Sequence, residues 1–214
     1  MFKMKKESIK PNNMSQSEKW AKIISFVFDG SFISIPIFII ICMVLVEDKM
    51  AALNWALLCL LFGMLLPFLY IFFLYRKNKI YDIHIPDRNN RMRPLIFTLT
   101  CYITGFIVLY LLKAPFFLKT IFILSIISTA ILTAVTYFWK ISLHTSWITF
   151  MVITFNVLLG PWMLLLLPLI PIIGWARVRA KRHTTPQVVM GAGISSIICF
   201  LGYHFSGFIN LFRW

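Results

Sequence analysis

Long, uninterrupted apolar runs limit this chain more than anything else in its sequence. Several approach or exceed the ~18 residues that cross a bilayer, and none alternates between apolar and polar residues in the manner of a barrel strand. Backbone in lipid must satisfy its own hydrogen bonds, so continuous runs of this kind are expected as helices. The chain is 60% hydrophobic over 214 residues, more than a soluble domain of this size can hide. The expected fold class is therefore all-α, a polytopic membrane helical bundle.

Polar breaks divide the runs. Residues 1–14 are polar and Lys-rich and are expected to be disordered. The same composition through residue 20 lacks the short apolar core of a cleavable signal peptide, and none is expected. Ser15-Gln16-Ser17-Glu18 has the spacing of a helix capping box. Trp20, Ile23, Ile24 and Val27 then share one face, which predicts a short interfacial amphipathic helix stopping near Asp29-Gly30. Residues 1–30 are read as tail and interfacial helix, and residues 31–214 as one transmembrane domain.

The spans are placed at about 31–46, 51–75, 94–112 (opened by Pro94), 117–139, 145–159, 161–175 and 186–209. Gly160-Pro161 splits the overlong stretch 147–176 into two crossings. Pro168 and Pro171 are expected to bend the second of these. Thr185-Pro186 reads as an N-cap followed by Pro at the first helical position. The total is about seven crossings, six being the alternative count. With seven, an even number of crossings separates each polar loop from the next. The N-terminus and the loops 76–93, 140–146 and 177–185 then share one side and can converge.

Charge is strongly asymmetric. The formal net charge is +14, which suits anionic lipid head groups and phosphates. No soluble domain is present to bind nucleic acid, so none is expected as a partner. Of the 21 Lys and Arg, Lys49, Lys113, Lys119 and Arg213 fall on the opposite side, leaving 17 on the side of the converging loops. The positive-inside rule puts that side in the cytoplasm. Cys42, Cys59, Cys101 and Cys199 all lie inside apolar runs without paired spacing, so they read as packing residues rather than as a disulfide or zinc framework.

Two of the four His residues stand in polar breaks beside cations. His183 belongs to a basic stretch, Arg177-Val178-Arg179-Ala180-Lys181-Arg182-His183, between two apolar runs. His144 follows Lys140-Ile141-Ser142-Leu143 in the same kind of setting. Each is expected just before a helix N-terminus, where free N–H groups favour an anion. His84 lies in the 76–93 loop, either lining a pocket or at the surface beside Asp82. His204 lies within the last apolar run and reads as structural. Gly191, Gly193, Ser195 and Ser196 read as a close-packing helix face.

Ala176-Arg177-x5-His183-x3-Gln187 and Ile141-Ser142-Leu143-His144 resemble the third and second motifs of the type 2 phosphatidic acid phosphatase superfamily, Ser-Arg-x5-His-x3-Asp and Pro-Ser-Gly-His. Arg93-Pro94 supplies the end of the first motif, Lys-x6-Arg-Pro, with Pro86 where Lys is expected. The loop pattern Asp82-x-His84-x3-Arg88-x2-Arg91 is similar to a divergent bacterial branch, and the resemblance covers roughly residues 50–205.

The resemblance implies a bacterial plasma-membrane phosphatase that needs no metal or other cofactor. Its substrate would be a prenyl or glycerolipid phosphate or diphosphate. His183 would form a phosphohistidine, His144 would act as general acid and then base, and Arg177 would clamp the phosphate. Ser142, Lys140, Arg88, Arg91, Arg93, Asp82 and His84 would surround the substrate. Gln187 would orient His183 in place of the family's Asp, without its charge. A catalytically impaired lipid-phosphate binder or transporter is the alternative. A magnesium-dependent prenyl or alcohol-phosphate transferase is a further one, disfavoured because only Asp82 and Asp87 lie near the site. Nothing in the sequence sets the oligomeric state.

Overall fold

The computed structural model describes residues 15–27, 30–82, 85 and 87–209. Among these residues the regular structure is entirely helical. The helices are α1 (Gln16–Val27), α2 (Gly30–Leu45), α3 (Lys49–Leu60), α4 (Leu66–Arg76), α5 (Arg88–Leu111), α6 (Phe116–Phe138), α7 (Leu143–Leu159), α8 (Leu169–Arg179) and α9 (Thr185–Phe205). A π-helical turn, Leu61–Leu65, joins α3 to α4, and a 3-10 segment, Pro161–Leu166, leads towards α8.

Among the described residues five segments are long and apolar enough to cross a membrane: Lys49–Arg76, Asn90–Leu111, Phe116–Phe138, Pro161–Arg179 and Thr185–Phe205. Two shorter apolar helices stand beside them, Ile35–Leu45 and Leu143–Leu159. The 17 residues of α7 rise ~26 Å, close to the ~30 Å of a hydrocarbon core. The chain is thus an integral membrane helical bundle. Large apolar side chains cover its outside, among them Trp162, Leu165 and Phe205, as a lipid-facing surface requires.

One core ties α2, α3, α5, α6, α7 and α9 together through residues such as Ile41, Cys59, Leu109, Phe122, Phe155 and Tyr203. All four cysteines are free and buried, three of them in this core. The π turn sits where a proline enters a continuing helix. Pro67 has no N–H for the Gly63 carbonyl, and its ring crowds that carbonyl; the wider turn relieves both.

Helix ends follow local chemistry, with three departures from the sequence expectation. The Ser15 capping box forms, Ser15 N–H donating to Glu18 Oε2 (3.0 Å) and Glu18 N–H to Ser15 Oγ (3.3 Å). Gly160 breaks the chain after α7 with φ +102°, a left-handed conformation that favours glycine. Pro94, expected to open a span, lies inside α5, which begins at Arg88. The missing proline N–H is tolerated because the preceding turn is anchored from outside: Arg88 donates to Phe138 O, and Arg91 to Ile85 O and Ile141 O. The N-cap of α9 is Thr184 rather than Thr185. His144, expected just before a helix, is the second residue of α7, whose N-cap is Ser142.

The apolar stripe of α1 is also divided. Ala21 is buried, and Ile24 packs on the cluster of Ile148, Val152 and Ile173, whereas Trp20 and Ile23 are exposed. The side chain of Val27 and the expected stop at Asp29 lie outside the described residues. Arg179 fastens the start of α1 by donating to Ser17 Oγ (2.7 Å from Nη2), and Lys181 pairs with Glu18 (3.3 Å).

Candidate functional site

Four separate polar segments meet at one end of the bundle. The α6–α7 turn joins the start of α9, where Ser142 N–H donates to Gln187 O (3.2 Å). A side chain at Gly191 would lie 2.6 Å from Ser142 O and 2.9 Å from Ser146 Oγ. Only glycine lets α9 press its first turns so closely onto the N-terminus of α7. Gly193 faces open space, so the small-residue face reduces to Gly191 and Ser195, four apart on one side of the helix. The 77–87 loop joins through Asp82, which pairs with Arg182 Nη1 at 3.2 Å. The start of α1 joins through Arg179 and Lys181, as above.

His183 lies between α8 and α9 and is only 7% exposed. Its backbone N–H donates to Arg177 O (3.3 Å), closing the turn after α8. Its Nδ1 stands 3.1 Å from Gln187 Oε1, which also accepts the Thr184 backbone N–H (3.2 Å). An amide oxygen only accepts, so Nδ1 carries the hydrogen and Nε2 keeps its lone pair. Nε2 is buried and has no hydrogen-bond partner among the described residues.

Burial, followed by the positive charges of Arg91, Arg177 and Lys140, pushes the His183 pKa from 6.5 down to about 3; the Gln187 contact opposes this only in part. The ring is therefore neutral at ordinary pH. Lys140, half-buried in the α6–α7 turn, is lowered as well, first by burial and then by Arg91, Arg177 and Arg182, with Asp87 acting in the opposite sense.

Arg91 and Arg177 are both buried. Arg91 spans two loops, its Nε donating to Ile85 O (2.7 Å) and its Nη1 to Ile141 O (3.1 Å). Arg177 occupies the last turn of α8. A buried cation is costly unless an anion or a set of oxygen acceptors compensates it. The sum is a neutral imidazole with a bare nitrogen, held by an amide and surrounded by cations. Such a place can receive an anionic, electrophilic group.

The other expected site residues fall into three groups. Ser142 is buried, and its Oγ accepts the Thr145 N–H (3.4 Å), so it shapes the start of α7. His144 is half-buried in the first turn of α7, two residues along from Ser142. Two arginines are placed differently from Arg91. Arg88 donates to Phe138 O (2.6 Å), closing the C-terminus of α6. Arg93 is exposed; two residues on from Arg91 in a helix, it faces elsewhere. Asp82 is engaged with Arg182, and His84 lies outside the described residues.

Sequence reasoning missed Arg182, which bridges the 77–87 loop to the His183 turn and acts electrostatically on Lys140. Its adjacency to His183 was the available signal, but a basic run reads first as loop charge. Among the described residues no three His, Cys, Asp or Glu gather as a metal site would need. Comparison with protein-family models, with curated proteins and with solved structures finds no match for this chain.

Proposed function

We propose that the chain is a lipid phosphate phosphatase, hydrolysing a prenyl or glycerolipid phosphate or diphosphate at the membrane surface. The observation that carries the reading is the state of His183: neutral, Nδ1–H held by Gln187, Nε2 bare, with Arg91, Arg177 and Lys140 acting on it. The resemblance of the 141–144 and 176–187 motifs to the type 2 phosphatidic acid phosphatases agrees with it.

In this mechanism the Nε2 lone pair of His183 attacks phosphorus. The bond from phosphorus to the lipid oxygen breaks, and that oxygen takes a proton from the imidazolium of His144; with a diphosphate the lipid monophosphate departs instead. Neutral His144 then deprotonates a water whose oxygen attacks the phosphohistidine. The P–N bond breaks, inorganic phosphate leaves, and His183 regains its lone pair. Arg177, with Arg91 and Lys140, stabilises charge spread over the phosphoryl oxygens.

Inorganic phosphate release from lipid phosphates, measured on detergent-purified protein, tests this directly. His183→Ala is expected to lower release by at least ~10³-fold. Equal release from both proteins would remove the mechanism.

Gln187 favours a second reading, an impaired relative that binds or transports lipid phosphates. Its amide orients the ring but cannot neutralise an imidazolium as a carboxylate would. Binding without release by the unaltered protein would support that reading. A magnesium-dependent transferase has less support, since Asp82 is paired with Arg182 and Asp87 accepts from Asn90 (3.1 Å). Release insensitive to chelator separates these enzymes.

We infer seven crossings, counting α2 and α7 with the five longer segments, and a cytoplasmic site on the positive-inside rule. A cysteine introduced by Ser8→Cys should resist an impermeant thiol reagent in intact bacterial cells. The native cysteines are buried, which keeps the background low. Ready labelling contradicts the orientation.

A further inference from the structure

We propose that the turn 180–184 is a gate over His183, held shut by carboxylates of two other segments and released when anionic lipid head groups take its cations; this rests on the phosphate reading above. His183 Nε2 is buried, as is the residue as a whole. A phosphoryl group has to come into near-attack contact with that nitrogen, and no group of that size reaches an atom closed off from water. The conformation described is therefore the closed one. Phosphate binding needs a movement that uncovers the ring.

The turn is fastened by weak contacts. Lys181 Nζ pairs with Glu18 Oε1 of α1 (3.3 Å), and Arg182 Nη1 with Asp82 Oδ2 (3.2 Å). Just before the turn, Arg179 donates through Nε and Nη2 to Ser17 Oγ (2.9 and 2.7 Å). The Lys181 side chain is 84% exposed. Exposed ion pairs shift an equilibrium by no more than about fivefold each. Lys181 also sits in the left-handed region (φ +56°), which a side chain holds at some cost. Two clasps of this strength hold the turn without locking it.

Each clasp stands beside an exposed aromatic residue. Trp20 follows Glu18 by two positions, Tyr81 precedes Asp82, and Trp175 lies one turn before Arg179; all three aromatic side chains are exposed. Exposed Trp and Tyr of a membrane bundle mark the head-group level. Lys19, exposed next to Glu18, adds a cation there. At that level anionic lipid phosphates compete for Lys181 and Arg182 and repel Glu18 and Asp82. Both effects favour the released turn. The head groups thus discriminate between the two states, as a shift of population requires.

Diethyl pyrocarbonate acylates unprotonated imidazole nitrogen and reads the gate without phosphate release. Labelling of His183 is followed by mass spectrometry on full-length protein in phosphatidylcholine vesicles, with the unfolded protein as reference. His183 should react much more slowly than in the reference. Glu18→Gln and Asp82→Asn should each speed it a few-fold, and together about tenfold. The charge swap Glu18→Lys with Lys181→Glu should restore protection. Adding phosphatidylglycerol to the vesicles should speed the unaltered protein by about fivefold or more, the weight of one basic residue at an anionic surface. Inorganic phosphate in neutral vesicles should not speed it. The rate at His204, at the far end of α9, should stay the same throughout, which separates gating from unfolding.

Labelling of the unaltered protein as fast as the reference overturns the closed state. Unchanged labelling in both carboxylate variants, acceleration shared by His204, or no recovery in the charge swap overturns the clasps. Equal labelling in neutral and phosphatidylglycerol vesicles, or acceleration by inorganic phosphate alone, overturns release by head groups. Gated labelling in a protein that releases phosphate from no lipid phosphate keeps the gate while the phosphatase reading fails. Ungated labelling with release abolished by His183→Ala does the reverse.

Discussion

The two ends of the bundle treat positive charge in opposite ways. At the end formed by the α2–α3 and α5–α6 turns, no described cation is buried: Lys49 and Lys113 are exposed and Lys119 is half-buried. Lys49 is exposed and donates to Met43 O (2.8 Å) and Val46 O (3.2 Å), closing the C-terminus of α2. Lys119 reaches over the Tyr110 ring at 6.0 Å. At the other end Arg91 and Arg177 are buried and Lys140 is half-buried, and all three act on one imidazole. A cation on exposed helix carbonyls gains a little and loses no hydration worth counting. A cation drawn inward loses hydration and weakens its neighbours' protonation. The difference teaches that the second end gathers buried positive charge around one imidazole, as the proposed phosphate site requires, whereas Lys49 at the first finishes a helix.

The sharpest way to break this contrast is to remove the second imidazole. His144→Ala is expected to lower phosphate release by ~10²–10⁴-fold, the usual weight of a general acid. Unchanged release would detach His144 from the chemistry and leave the site end as a binding surface.

The next test concerns pH. His183 is pushed from 6.5 to about 3, so Nε2 keeps its lone pair across the whole interval. The acid limb of kcat/KM due to this ring should therefore lie well below pH 6.5. Lys140→Met removes one of the cations holding it down and should move that limb upwards. The stability linkage has the same sign. The unfolded chain binds a proton at pH 6.5 and the folded one does not, so the neutral ring's contribution is complete above pH 6.5. It is lost as pH falls from there towards 3. A limb that stays in place in Lys140→Met would mean the charges do not act on the reacting ring.

The smallest effect belongs to the other end. Lys49→Met should leave release unaltered and lower stability by ~0.3–1 kcal/mol, the weight of a cation at a helix C-terminus. Thermal unfolding of the two proteins checks it. A large loss of phosphate release there would erase the distinction between the ends.

Much of the architecture was legible because lipid leaves the chain few choices. Apolar runs became helices, Gly160-Pro161 became a break, and Ser15 to Glu18 became a capping box, each from chemistry within a few residues. Pro94 misled because its local rule is to start a helix. The structure anchors the turn before it with Arg88 and Arg91, whose acceptors lie some fifty residues on, at Phe138 and Ile141. The same extension of α5 sorted the arginines, turning Arg91 inward and leaving Arg93 outside, although the two look alike in a basic loop.

The sequence by itself determined that this chain is helical, belongs in a bilayer, and collects its His residues and cations in particular breaks, because hydropathy and residue type are local properties. Tertiary structure alone decided which of those groups meet. The approach of α9 to α7 at Gly191 and the tautomer imposed on His183 through Gln187 both depend on helices packed at a fixed separation. No pattern along one strand of residues encodes that separation, since it is set by side chains from several helices filling the same space.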